Sequence, residues 1–173
     1  MIVILTGAVR SGKTSLLKNA IPFLQGRQVR VAGYLSELLR EGERILGYDL
    51  VEIGGGRFPF LRTGSPPDRQ QVGPFFLDPD GLRQAERIIR QTQPGYLLIV
   101  DEVGPLELEG RGVRPALETA LSSRPGPILL VIRESILEQL VASLGLQSAR
   151  VIPVGGRDAA DELAGLLLGF QAR

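Results

Sequence analysis

Cysteine and histidine are both missing from the 173 residues, and the two absences remove much of the usual catalytic chemistry. Without cysteine there is no disulfide, no zinc-thiolate site and no thiol nucleophile. Without histidine there is no Ser-His-Asp triad, no imidazole metal ligand and no imidazole general base. Proton transfer is left to carboxylates, lysine, tyrosine or water. Lysine is scarce as well: only Lys13 and Lys18 occur, so the N/T-K-x-D signature by which switch proteins read guanine is absent. No apolar run approaches the roughly 18 residues that span a bilayer. A net charge of +1 supplies neither a basic field for nucleic acid nor an acidic tail. The apolar N-terminus carries no basic leader and no small-residue cleavage site. These absences lead to the expectation of a soluble cytoplasmic protein with no membrane and no nucleic-acid partner.

What is present is an ordinary globular balance, 43% hydrophobic and 23% charged, long enough to bury a core and read as one domain over residues 1–173. "MIVILTG" is a continuous apolar run ending in glycine, the pattern of a strand buried on both faces. Leu16, Leu17, Ala20 and Ile21 recur at helical spacing from Lys13, with Pro22 near the expected helix end. "VRVAGYLSELL" and "RILGYDLVEI" flank a turn at Gly42 and predict an antiparallel hairpin. Residues 54–74 are rich in glycine and proline without a period, which marks a lid or binding loop. A helix capped by Asp78 with Pro79 at its first position follows. "PGYLLIVDE" and "PILLVIRE" are two more buried strands, "RGVRPALETALSS" is a helix, and Ser135 is placed to cap another. "ARVIPV" and "RDAADELAGLLLGF" supply a last strand and helix. Strands alternating with helices predict an α/β fold, a mostly parallel central sheet flanked by helices with an antiparallel hairpin insertion.

The stretch "GAVRSGKT", Gly7 to Thr14, satisfies G-x-x-x-x-G-K-[ST] without a gap. Chance would produce it in a chain this long roughly 0.5% of the time, and the strand before and helix after are the context it needs. Gly7 and Gly12 permit backbone angles and close approach that side chains would block. The amides of Gly7, Ala8, Val9, Arg10, Ser11, Gly12, Lys13, Thr14 and Ser15 are then expected to converge on phosphates, helped by the positive end of the following helix. Lys13 places a charge on the β/γ oxygens and the Thr14 hydroxyl can ligate Mg²⁺. Asp101, ending a buried strand, is the expected second Mg²⁺ residue. Glu102 beside it can orient or deprotonate an attacking water, or else make an exposed salt bridge at the strand end.

Three segments carry a resemblance beyond this loop: "GYLSELLREGERILGYDL", "VGPFFLDPDGLRQAE" and "LLIVDEVGPLEL". In order and spacing, over roughly residues 1 to 110, they resemble the nucleoside-triphosphatase family first described from thermophiles, which has a human cancer-related relative. The resemblance implies a RecA-like P-loop domain and Mg²⁺-dependent hydrolysis of ATP, GTP and other nucleoside triphosphates, with loose base choice. By position it places Gly12, Lys13, Thr14, Asp101 and Glu102 at the reactive centre. The chain departs from the family at "VGGRDAAD", where only Arg157 and Asp158 match its Asn-Arg-Asp run, and at "VIRES", which lacks its usual Thr.

Three further residues stay open between two readings each. Arg10 is either an in-loop arginine finger over the γ-phosphate, as in thymidylate kinases, or a solvent-facing side chain. Arg133 senses the γ-phosphate or joins a structural salt bridge. Glu37 shares the role of Glu102 or pairs across the hairpin with Arg44. The expected reaction is nucleoside-triphosphate hydrolysis, with Lys13, Glu102 and Arg10 as catalytic residues. A small-molecule or nucleotide kinase and a nucleotide-gated regulatory switch are the rivals. Nothing in the sequence names a protein partner.

Overall fold

The computed structural model describes residues 1–64, 70–123, 125–156 and 158–169. Its centre is a parallel sheet built from the three runs read as buried strands, β1 (Ile2–Gly7), β7 (Leu97–Val103) and β8 (Ile128–Arg133), and from the short last strand β9 (Arg150–Pro153), joined by β2 (Val31–Glu41). The order across it is β2-β7-β8-β1-β9, so β8 separates β1 from β7. Side chains alternate between two apolar layers. Val3 and Leu5 of β1 pack with Leu17, Ile21 and Leu24 of α1 (Lys13–Gly26) and with Leu163 and Leu167 of α6 (Ala159–Leu168). Ile4 packs to the other side, in the layer of α2 (Pro79–Gln91), the short α3 (Pro105–Leu108), α4 (Arg114–Ser123) and α5 (Leu137–Ser143). Each such fully buried Leu or Ile contributes about 2 kcal/mol over an exposed one, which is why strands covered on both faces are apolar at every position.

The antiparallel part is larger than the expected hairpin. Strand β2 continues into β3 (Arg44–Glu52), β4 (Arg57–Arg62), β6 (Phe75–Leu77) and β5 (Gln71–Val72), in that spatial order. The stretch 54–74, read as one irregular loop, therefore contains a full strand and part of a second hairpin, while residues 65–69 lie outside those described. Pro59 obscured β4. It sits opposite Asp49 where the β3/β4 register shifts, the kind of irregularity that accommodates a residue without an N–H. Gly81 lets α2 settle on this strand, because a Cβ there would stand 2.0 Å from the Pro59 carbonyl oxygen.

Helix ends were partly legible. Asp78 Oδ1 accepts from the N–H groups of Asp80 and Gly81 at 3.0 and 3.1 Å, as its place before Pro79 predicts. Pro22, expected to mark the end of α1, lies inside it. The apolar stripe through Leu17, Ile21 and Leu24 keeps the helix on the sheet past the proline. Ser135 does not cap α5; it sits within a 3₁₀ turn, Glu134–Ile136, that precedes the helix. Among the described residues no helix is long and apolar enough to cross a membrane.

Candidate active site

The loop from Gly7 to Thr14 joins β1 to α1 and is held by local geometry. Gly7 has φ 157°, and a Cβ there would meet Ser11 Oγ and Val154 Cγ1 at 2.7 Å each. Gly12 precedes the helix at φ 94°, where space is open but the backbone favours glycine. Arg10 adopts φ 61° without that freedom, so the loop carries left-handed strain at its tip. The first N–H groups of α1 have no intrahelical acceptors. Lys13 is 6% exposed and donates to the Gly7 and Ala8 carbonyl oxygens at 3.0 and 2.6 Å. Burial lowers its pKa against the raising pull of the Glu102 and Asp101 carboxylates.

Three elements converge on Asp101. The carboxylate of this β7 residue is fully buried. Its Oδ2 accepts from Thr14 Oγ1 of α1 at 2.8 Å and from the Ser36 N–H of β2 at 3.0 Å. Burial pushes its pKa up to about 7, with the Ser36 and Thr14 hydrogen bonds opposing. Asp101 Oδ1 has no protein partner among the described residues, and neither does the buried Ser36 hydroxyl. A buried carboxylate oxygen without a donor, beside a threonine hydroxyl, has the all-oxygen chemistry that suits a hard divalent cation completed by phosphate oxygens and water. Thr14 and Asp101 thus fit Mg²⁺. Among the described residues no group of three or more His, Cys, Asp or Glu side chains is placed to hold a metal ion.

Glu102 follows at an irregularity: Val100 pairs with Leu130 and Val103 with Ile132, so β7 carries one residue more than β8 over this span. Glu102 takes φ 71° there, and its carboxylate lines the cleft rather than the sheet face. Its partner is Arg133, whose Nε lies 2.5 Å from Glu102 Oε1 and whose terminal nitrogen also contacts that oxygen. Arg133 therefore pairs with Glu102 itself, not with residues around Glu134. Glu107, not singled out in the sequence, holds the segment after Glu102 in place. Its buried carboxylate accepts from the N–H groups of Gly104 at 2.7 Å and Val113 at 2.9 Å. Burial raises its pKa despite those bonds. The one signal for it is that it is the single acid of "VGPLEL", three residues after Gly104 at the start of a short helix, Pro105–Leu108.

Glu37 does not pair with Arg44. The β2/β3 register sets Glu37 opposite Asp49 and Arg44 opposite Glu41, and Glu37 instead takes Lys18 at 2.8 Å and Arg57 at 2.6 Å. Burial pushes its carboxyl up, but those two cations hold it below its ordinary value. Asp49 shares Arg57 and adds Arg62, so five charged residues, Lys18 of α1 and Glu37, Arg57, Asp49 and Arg62 of the antiparallel strands (the wing), form one chain of charge. A cleft of about 460 Å³ runs from the loop, Val9 to Ser15, past Glu102 and Arg133 to Leu38, Arg40 and Tyr48. Arg10 is exposed and lines it, with no partner among the described residues. Arg157 lies outside the described residues; Asp158, the other match at "VGGRDAAD", is exposed and immediately precedes α6.

This arrangement has known counterparts. A family described as NTPase matches residues 2–159. The chain belongs to this NTPase family. It is 36% identical over 86 residues to the human cancer-related nucleoside-triphosphatase, covering 47% of this chain and 45% of that protein. It is 31% identical over 107 residues to nucleoside-triphosphatase THEP1 of Thermotoga maritima, covering 59% of this chain and 57% of the relative. The matches thus span about half the length of these curated relatives. The solution structure of a human cancer-related nucleoside triphosphatase superposes with a TM-score of 0.77 at 27% identity, over 98% of this chain and 97% of that one. The crystal structure of THEP1 from Aquifex aeolicus, at 20% identity and a TM-score of 0.67, shares the fold over 96% of this chain and 99% of its own. The α/β sheet here brings the Gly7–Thr14 loop and the acidic end of β7 together, with Thr14 hydrogen-bonded to Asp101.

Proposed function

We propose that this chain hydrolyses nucleoside 5′-triphosphates to the diphosphate and phosphate, with Mg²⁺ and with little discrimination among bases. The observation that carries the reading is the Asp101 carboxylate: hydrogen-bonded to Thr14 at 2.8 Å, it keeps a second oxygen without a donor among the described residues, and Glu102 beside it lines the same cleft as Thr14. The names of the relatives, nucleoside-triphosphatases of human and Thermotoga maritima, agree with it.

The phosphates take the place of the loop carbonyls on Lys13. Its ammonium now sits on Gly7 and Ala8 oxygens, which are weaker acceptors than an anionic phosphate. The helix N-terminus and loop amides hold the β-phosphate. Thr14 and Asp101 would hold Mg²⁺, which would supply neutralisation of the phosphate charge. A water on the Glu102 side attacks the γ-phosphorus in line. The new P–O bond forms as the bridging P–O bond breaks, the bond pair leaves with the diphosphate, and the Glu102 carboxylate takes the water proton. Arg10, exposed at the loop tip, is free to reach the γ-phosphate as charge builds there.

The test is phosphate release from the purified protein with Mg²⁺ and each of ATP, GTP, CTP, UTP and dTTP, with no acceptor added. Release with several bases is expected, slowed about a hundredfold in Glu102→Gln, with nucleotide still bound. Binding without release in the wild-type protein overturns the reading.

A further inference from the structure

Arg133 ends β8, the strand between the loop strand and the acid strand. Its backbone pairs with Gly7 on one side, while its neighbour Ile132 pairs with Val103 on the other. The guanidinium is therefore shared ground between the phosphate loop and Glu102, and all three line one cleft. Two of its nitrogens converge on one carboxylate oxygen, Glu102 Oε1, with Nε at 2.5 Å. Glu102 is its only hydrogen-bond or ion-pair partner among the described residues, and Oε2 of Glu102 takes no part. This is not the fork-on-fork pairing that an arginine makes with an oxyanion at its best. The arrangement is also half open: Arg133 and Glu102 side chains are 34% and 24% exposed.

We propose that Arg133 is a positioning residue that changes partners. In the nucleotide-free chain it holds Glu102; when a triphosphate seats, the γ-phosphate takes the guanidinium and leaves the carboxylate free to handle water. The terminal phosphate offers more charge and more oxygens than the carboxylate, and a planar guanidinium meets it with two parallel bonds. A diphosphate ends short of that position and leaves the Arg133–Glu102 pair intact. The release of Glu102 matters only if the hydrolase reading holds, but the exchange itself is a binding event that needs no turnover.

Calorimetric titration of Mg²⁺-ADP and of the Mg²⁺ complex of the β,γ-imido analogue of ATP tests it. The proteins are wild type, Arg133→Ala, Arg133→Lys, Glu102→Gln and the Glu102→Gln/Arg133→Ala double variant. Arg133→Ala is expected to lose roughly 10- to 100-fold of triphosphate affinity and none for ADP, with Arg133→Lys intermediate and melting at the wild-type temperature. Glu102→Gln is expected to bind the triphosphate analogue more tightly, and by a larger factor when Arg133 is present than when it is absent. Plain repulsion between Glu102 and the γ-phosphate predicts the reverse, because without the arginine the carboxylate is unshielded. Equal losses for di- and triphosphate, or a gain undiminished in the double variant, overturns the exchange. Intact coupling in a protein that releases no phosphate leaves the exchange standing and removes the hydrolase.

Discussion

Strand β2 belongs to two structures of different character. Over Val31–Tyr34 it pairs in parallel with β7, inside a sheet covered on both faces; beyond Tyr34 it pairs antiparallel with β3 and leads into the wing. The parallel half is held by apolar layers, and its few buried polar groups, Lys13 and Asp101 among them, are clustered at the phosphate loop. The wing has a thinner apolar core and ties its strands with charge: Glu37, Asp49, Arg57 and Arg62, anchored to α1 through Lys18. In the first half Lys13 and Asp101 are buried at a cost in stability without an ion pair among the described residues, while Glu102 pairs with Arg133 at the cleft. In the second half charge is paired off and structural. The two halves should accordingly fail in opposite ways when their charges are removed.

The sharpest contrast is Lys13→Ala, which is expected to cut phosphate release about a thousandfold, about 4 kcal/mol in barrier. Its melting temperature should not fall, since the ammonium it removes is desolvated. A large loss of Tm would mean that Lys13 is structural and would erase the contrast. Gly33→Ala strikes the shared strand. At φ 117° its Cβ would lie 1.9 Å from the Ile99 carbonyl oxygen, so a loss of about 3 kcal/mol in a denaturant melt is expected, with both halves unfolding together. Separate transitions would show that the wing is an independent unit.

Asp101→Asn probes the stored cost of the site. The folded-state pKa of about 7 stands above the ordinary 3.8. Between those values the folded chain binds more protons than the unfolded one, so its stability falls as pH rises from about 4 to about 7. Asn keeps an acceptor for Thr14 and Ser36 without the charge. Nucleotide-free Asp101→Asn should melt higher than wild type at pH 8, by about 2 kcal/mol, and lose the slope in that window, while nucleotide binding with Mg²⁺ weakens. A lower Tm at pH 8 would contradict the desolvation argument. Asp49→Asn gives the smallest effect and the opposite kind: about 1 kcal/mol of stability, because Arg57 and Arg62 are partly solvated, with phosphate release unchanged. Loss of turnover there would place the wing in the chemistry.

The same division explains what the sequence disclosed. Runs such as "MIVILTG" and "YLLIVDE" are unambiguous because burial on both faces demands apolar residues throughout. The wing strands are short, half-solvated and interrupted, and β4 reads as a loop because Pro59 signals a break that the register shift beside Asp49 absorbs. Pro22 and Ser135 misled for a related reason: both are local signals overruled by packing, one by the apolar stripe of α1, the other by a 3₁₀ turn.

The phosphate loop is a contiguous device, so its eight residues determine it: two glycines, a lysine and a hydroxyl between a strand and a helix need no distant help. Family membership follows from equally local runs. Partner choice is another matter. Thr14 meets Asp101 across 87 positions, Ser36 meets it across 65, and Arg133 meets Glu102 across 31. Which acid is buried with one oxygen lacking a donor among the described residues, and which is held by an arginine, depends on β8 lying between β1 and β7 and on the extra residue at Glu102. Sheet order and register are set by the packing of the whole core, and no window of sequence contains them.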